Sequence, residues 1–235
     1  EAVLKNIDFS CHKGQKIAVI GSTGSGKSTL VKLMNRFYDV SRGTIEINGV
    51  DIRKYNLESL RTQIGYVAQK AHMFKGSIRS NICFGKPEAS VEEMVHAATV
   101  AQASNFISTR ECGYEDEIAE DGTNISGGQK QRLSIARVIL KKPSLYIYDD
   151  SFSALDFKTD ATLRKALKPE VKNAIFFVVA QRISTIMDSD MIIVLDEGQI
   201  IGLGTHLELL KNCSVYQEIA HSQLTQKELD DYERN

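Results

Sequence analysis

Residues Gly21-Ser22-Thr23-Gly24-Ser25-Gly26-Lys27-Ser28-Thr29 satisfy G-x-x-x-x-G-K-[ST], and they stand between an aliphatic run, 16–20, and an amphipathic helical pattern, 27–37. That context constrains the chain more than any other feature. A strand, a glycine-rich turn and a helix in this order turn successive backbone N–H groups and the positive end of the helix toward an anion. The glycines let the backbone curl around phosphate oxygens, Lys27 reaches the outer phosphates, and Ser28 supplies a hydroxyl for magnesium. A Gly/Ser-rich loop with a chance lysine is the structural alternative, and it leaves the flanking strand and helix unexplained. The loop alone does not separate ATP from GTP.

Four further runs, 64–68, 145–148, 174–180 and 191–195, read as buried parallel strands because their apolar residues are continuous rather than alternating. Helical patterns at 91–108, 129–140 and 159–167 fall between them. The expected class is α/β, with helices on both faces of a mainly parallel sheet. Ser90 with Glu93 and Thr205 with Glu208 fit capping boxes, which start helices. Two segments break the rhythm. Residues 43–49 read as a small antiparallel piece ending in an Asn48-Gly49 turn, and 77–142 reads as a helical insertion without a buried strand. With three prolines and no repeats, no linker stands out, so one compact unit is expected.

Composition narrows the partners. Apolar residues at 42% and charged residues at 25% suffice for a packed core and exclude a disordered chain. Lys and Arg number 29 against 30 Asp and Glu, so no basic surface calls for nucleic acid. The longest apolar run, 174–180, falls far short of the roughly 20 residues that span a bilayer. The four cysteines form no C-x-x-C pair and the five histidines no cluster, which argues against a zinc site or a disulfide framework and for a reduced, cytosolic setting. The chain opens on Glu1 without a basic or apolar leader and reads as a piece of something longer.

Two further segments carry chemistry. Leu145-Tyr146-Ile147-Tyr148-Asp149-Asp150 is an apolar strand ending in two acids. Alone, such acids are loop or cap residues; beside a phosphate loop, Asp149 is expected to hold magnesium through water and Asp150 to orient or deprotonate an attacking water. Ser126-Gly127-Gly128-Gln129 opens a long amphipathic helix. Ser126 is a good N-cap and the two glycines leave the first helical N–H groups bare, so this is either a second anion site or a capped helix start.

Taken together, the phosphate loop, Ser126-Gly127-Gly128-Gln129, the acidic strand end and Ser153-Ala154-Leu155-Asp156 resemble, in order and spacing, the nucleotide-binding domain of ATP-binding cassette transporters. Gln69, after Ile64-Gly65-Tyr66-Val67-Ala68, falls where that family has its glutamine loop. The segment 117–122 resembles the acidic loop of exporters, and Arg36-Phe37-Tyr38-Asp39 and Asn56-Leu57-Glu58-Ser59-Leu60-Arg61 look like the bacterial multidrug or lipid exporter branch. The resemblance covers almost the whole chain. It implies a P-loop NTPase core of RecA-like type with a small antiparallel β subdomain, an inserted helical subdomain at 77–142 and C-terminal helices at 205–235, the first strand lying upstream. It implies ATP and Mg2+ as ligands, with Ser28, Gln69 and, through water, Asp149 around the metal. It also implies a head-to-tail pair of such domains, in which Ser126–Gln129 serve the partner's nucleotide and Asp156 lies in a dimer-contact loop. Transmembrane domains would dock on the helical insertion at the cytoplasmic face of the membrane. The family's adenine-stacking aromatic is expected upstream of Val3.

The sequence departs from the family at two reactive positions. The usual glutamate after the strand-end aspartate is Asp150, and the switch histidine after the strand 174–180 is Gln181. Aspartate is one methylene shorter, and glutamine donates a hydrogen bond but takes up no proton. The sharper reading is the degenerate half of a heterodimeric exporter, whose partner chain carries the catalytic glutamate and switch histidine. The other readings are a fully active symmetric homodimer, with Asp150 acting through a displaced water, and a soluble cassette ATPase outside transport.

Overall fold

Strand Lys16–Gly21 is flanked on both sides by parallel strands, Ile175–Val179 and Met191–Asp196, which explains why its sequence is aliphatic without alternation. Ile17, Ala18 and Val19 are completely buried, as are Ile192 to Leu195. Val19 pairs with both Val179 and Ile193. Beyond Met191–Asp196 lies Gln199–Gly204, antiparallel to it and only half-buried. That strand escapes the sequence reading because Gly202 and Gly204 dilute its apolar pattern.

The computed structural model describes residues 2–224. They divide into two compact units with boundaries at Leu60/Arg61 and Ala174/Ile175, where a single unit was expected from the sequence. The first unit holds the four strands above, helix Lys27–Met34, and a hairpin of Glu46–Ile47 with Val50–Asp51. Asn48 and Gly49 turn that hairpin with φ of 53° and 75°, the left-handed pair that an Asn-Gly turn supplies. Helix Lys27–Met34 stops three residues before the expected end, because the Asn35 side chain donates to the Val31 carbonyl at 2.9 Å and Arg36 turns to φ 50°. Helices His206–Asn212 and Ser214–Gln223 close the unit; the expected solvated acidic end at 225–235 lies outside the described residues.

The second unit pairs Ile64–Val67 in parallel with Leu145–Asp149, Val67 opposite Tyr148. Helix Gly127–Lys141 buries Leu133, Ile135, Ala136, Val138, Ile139 and Leu140, which lie around most of its circumference, so its second half is packed on more than one side. The helical pattern at 91–108 is two helices, Val91–Val100 and Ser104–Ser108, broken where Gln102 takes φ 58°. The expected capping boxes at Ser90/Glu93 and Thr205/Glu208 are both formed. One expectation fails: Glu117–Ile118 pairs antiparallel with Gly76–Ser77, and Ile118 is buried, so the insertion does contain a buried strand residue. Acidic neighbours on the chain, Glu115 to Glu117, hide it from a hydrophobicity pattern. The architecture is therefore α/β, a P-loop NTPase core with a small antiparallel piece and a helical subdomain. Among the described residues no helix is long and apolar enough to cross a membrane.

Candidate functional site

In the first unit the strand delivers the chain into the phosphate loop at a point of very close approach. A Cβ on Gly21 would lie 2.0 Å from the Leu195 carbonyl oxygen of the neighbouring strand, so only glycine fits. Past the loop, helix Lys27–Met34 starts at Gly26 without any side-chain cap, leaving its positive end to whatever anion approaches. The Lys27 ammonium folds back over the loop and donates to the Gly21 carbonyl at 2.8 Å, the Ser22 carbonyl at 2.6 Å and Ser25 Oγ at 3.3 Å. Ser22, Thr23, Gly24 and Ser28 are exposed, Thr29 is half-buried, and Ser25 and Gly26 are buried beneath them. The result is an exposed turn at an uncapped helix start with one cation folded over it, which fits a polyphosphate.

Gln181 belongs to the same unit. It is exposed and lies two residues past strand Ile175–Val179, whose end is tied to the phosphate-loop strand by the Ala180 amide donating to the Val19 carbonyl at 3.1 Å. Parallel pairing thus carries Gln181 and the phosphate loop to the same, carboxyl, edge of these strands, the edge at which α/β folds bind ligands.

The second unit assembles the acidic cluster. Strand Leu145–Asp149 ends in Asp149 and Asp150, each only 8% exposed, and Asp150 has φ 47°, an unusual conformation for a residue with a Cβ and one that re-aims its carboxylate off the strand. The Gln69 side-chain amide donates to Asp150 Oδ2 at 3.0 Å, so the expected glutamine-loop residue and the expected base are in direct contact. Tyr66 donates its hydroxyl to Asp149 Oδ2 at 3.2 Å; burial, and then the Asp149 charge, push the Tyr66 phenol up to about 12 and keep it a donor. Ser151 Oγ donates to the Val67 carbonyl at 3.0 Å, tying the two strand ends together, and Gln131 Nε2 on helix Gly127–Lys141 donates to the Ala68 carbonyl at 3.2 Å. Ser28 in the first unit, and Gln69 and Asp149 in the second, each carry a side-chain oxygen of the hard-ligand kind that Mg2+ takes.

Ser126 caps helix Gly127–Lys141 through a complete capping box: Ser126 Oγ accepts from the Gln129 amide at 3.2 Å and Gln129 Oε1 accepts from the Ser126 amide at 2.9 Å. Gly127 and Gly128 follow as the first helical residues. Asp156 caps helix Phe157–Glu170 by accepting from the Thr159 amide at 2.9 Å, and that hydrogen bond holds its carboxyl below the usual range. Both residues therefore have a structural task of their own. Three polar contacts have no signal in the sequence: Tyr66 on Asp149, Ser22 Oγ donating to Asp196 at 3.2 Å, and Gln223 on the loop after Gln181.

A strand, phosphate loop and helix of this geometry, with an acidic strand end, define a nucleotide-binding P-loop domain. The profile of the ABC transporter family matches residues 4–153, and the chain belongs to that family. It is 45% identical over 219 residues to the putative multidrug export ATP-binding/permease protein YgaD of Bacillus subtilis, covering 93% of this chain and 38% of that protein. It is 43% identical over 225 residues to heavy metal tolerance factor 1 of Caenorhabditis elegans, covering 96% of this chain and 28% of that protein. Among solved structures, a bacterial Atm1-family ABC exporter with ATP bound superposes with a TM-score of 0.92 at 37% identity, over 95% of this chain and 40% of that one. The chain thus spans well under half the length of these relatives.

Proposed function

We propose that this chain is the ATP-binding and ATP-hydrolysing domain of an exporter, and that its own phosphate-loop site is slow while its signature residues complete the site of a different partner chain. The observation that carries nucleotide binding is the Lys27 ammonium held on the Gly21 and Ser22 carbonyls beside an uncapped helix start. Gly21 to Thr29 bind the phosphates, with Lys27 placing positive charge on the outer ones. Ser28, Gln69 and, through water, Asp149 would hold Mg2+, which would supply positive charge against the phosphates. Tyr66 keeps the Asp149 carboxylate turned to its task. Asp150 orients the attacking water, and Gln69 holds Asp150 while doing so. Gln181 donates to the γ-phosphate.

Impairment follows from the same residues. Asp150 carries its carboxylate about one methylene short of a glutamate, and a misplacement on the order of 1 Å is able to cost about 10²-fold in rate. Gln181 has no basic nitrogen to share with a transferred proton. Ser126, Gly127, Gly128 and Gln129 sit intact on a capped helix start, which supports their service to a second domain in head-to-tail contact, with Asp156 in the dimer-contact loop. That partner carries the catalytic glutamate and switch histidine. The relatives named as export ATP-binding/permease proteins support a setting at the cytoplasmic face of a membrane, with transmembrane domains docked on the helical subdomain at 77–142. No nucleic-acid partner is proposed. The test is Ser126→Arg in the full transporter. ATP should still bind at Lys27 while hydrolysis at the partner's phosphate loop stops; an unchanged total rate overturns the assignment in trans.

A further inference from the structure

The last described helix reaches back to the loop that carries Gln181. Helix Ser214–Gln223 is anchored by Tyr216 and Ala220, both completely buried, and the Tyr216 hydroxyl lies 2.7 Å from His206 Nδ1. At the end of this rigid element the Gln223 side chain closes on backbone 40 and 42 residues away. Gln223 Nε2 donates to the Gln181 carbonyl at 2.8 Å, and Gln223 Oε1 accepts from the Ile183 amide at 2.8 Å. A primary amide is the side-chain group with a donor and an acceptor fixed in one plane, and here each meets its complement on the two sides of Arg182. The Ile183 amide is the first N–H of helix Ile183–Ile186, which Arg182 does not cap with its own side chain.

We propose that Gln223 is a positioning residue for the γ-phosphate contact: its clamp on the Gln181 carbonyl and the Ile183 amide holds the exposed Gln181 in the orientation that meets the nucleotide. The proposal rests on the reading of Gln181 given above. On one side Gln181 is tied to the sheet through Ala180 and Val19; on the other it is tied to the carboxyl-terminal helix through Gln223. Anchors at the Ala180 amide, at the carbonyl of Gln181 itself and at the Ile183 amide remove most of the backbone freedom of an exposed loop position. Without the second anchor, the entropy cost of ordering Gln181 would fall on nucleotide binding itself. The γ-phosphate is what distinguishes ATP from ADP, so the clamp should act on the preference between them and little on the affinity the two share.

The test uses the full transporter with Mg2+, measuring ATP and ADP in competition for a photoactivatable nucleotide that labels this chain, together with backbone hydrogen exchange at Ile183. Gln223→Met keeps length and apolar contact but removes both hydrogen bonds. It should lower the ATP-over-ADP preference about ten-fold, the effect of one charge-assisted hydrogen bond, and speed exchange at Ile183. Gln181→Ala should lower the preference by the same factor, and the double variant should fall no further. Gln223→Glu, which still accepts from Ile183 but no longer donates to Gln181, should lie between. Additive losses, or a preference unmoved by Gln223→Met, overturn the positioning role. Unchanged exchange at Ile183 refutes the clamp alone. An unmoved preference in Gln181→Ala refutes the phosphate contact of Gln181 and, with it, the role of Gln223.

Discussion

Gly21→Ala tests how the sheet shapes the phosphate loop. The new methyl would stand 2.0 Å from the Leu195 carbonyl oxygen and 2.8 Å from Ser25 Oγ. Ordinary carbon–oxygen contacts lie near about 3.3 Å, so the strand must shift by about 1.3 Å, and the Gly21–Leu195 pairing gives way. Overpacking of this kind costs about 1–3 kcal/mol, and each weakened ladder hydrogen bond about 1 kcal/mol more, for a loss of about 2–4 kcal/mol. The same shift moves the Gly21 carbonyl that holds Lys27, so ATP affinity should fall at least about ten-fold. The control is Gly24→Ala, whose Cβ would meet nothing within 4 Å but whose φ of +86° strains any side chain by about 1–2 kcal/mol. Urea unfolding and calorimetric ATP titration of both variants separate contact from dihedral strain. If Gly21→Ala is no more destabilising than Gly24→Ala, the neighbouring strand does not dictate the glycine and the argument fails.

The remaining predictions concern the two polar supports. Burial lowers the His206 imidazole below its ordinary 6.5, which favours its neutral form; the stabilisation is complete above that value and lost as pH falls through the lower folded value. Melting temperatures between pH 8 and pH 5 should therefore fall toward acid, and His206→Gln should flatten that slope; an equally steep slope in the variant assigns it elsewhere. Tyr66→Phe removes the donor to Asp149 and should cost about 1 kcal/mol in urea, with a midpoint equal to wild type counting against the contact.

What the sequence made legible was what local chemistry encodes. The phosphate loop is a nine-residue text whose spacing is its geometry, and the capping boxes at Ser90 and Thr205 are four-residue texts realised as read, while the expected N-cap at Ser126 proves to be a full box through Gln129. Buried strands between 16 and 195 were visible because burial on both faces leaves no polar interruption. The rest needed three dimensions. Tyr66 meets Asp149 because of the register between two strands 83 residues apart, and neither residue's neighbours announce it. Gln223 meets Gln181 only because one buried tyrosine and one alanine dock a helix. The left-handed turns at Gln102 and Asp150 carry no compositional signature, since no glycine marks either position. Ile118 was concealed by the acids around it.

In the proposed function, this chain's own catalytic site is impaired at two positions, Asp150 and Gln181. The most direct measurement is turnover at this site alone, in the full transporter, after Asp150→Glu and Gln181→His are introduced together. Restoring the missing methylene and the imidazole should raise single-site turnover by about 10²-fold while ATP affinity at Lys27 changes little. A rate left where it was would contradict the claim, and the chain would then have to be read as an ordinary, fully active cassette.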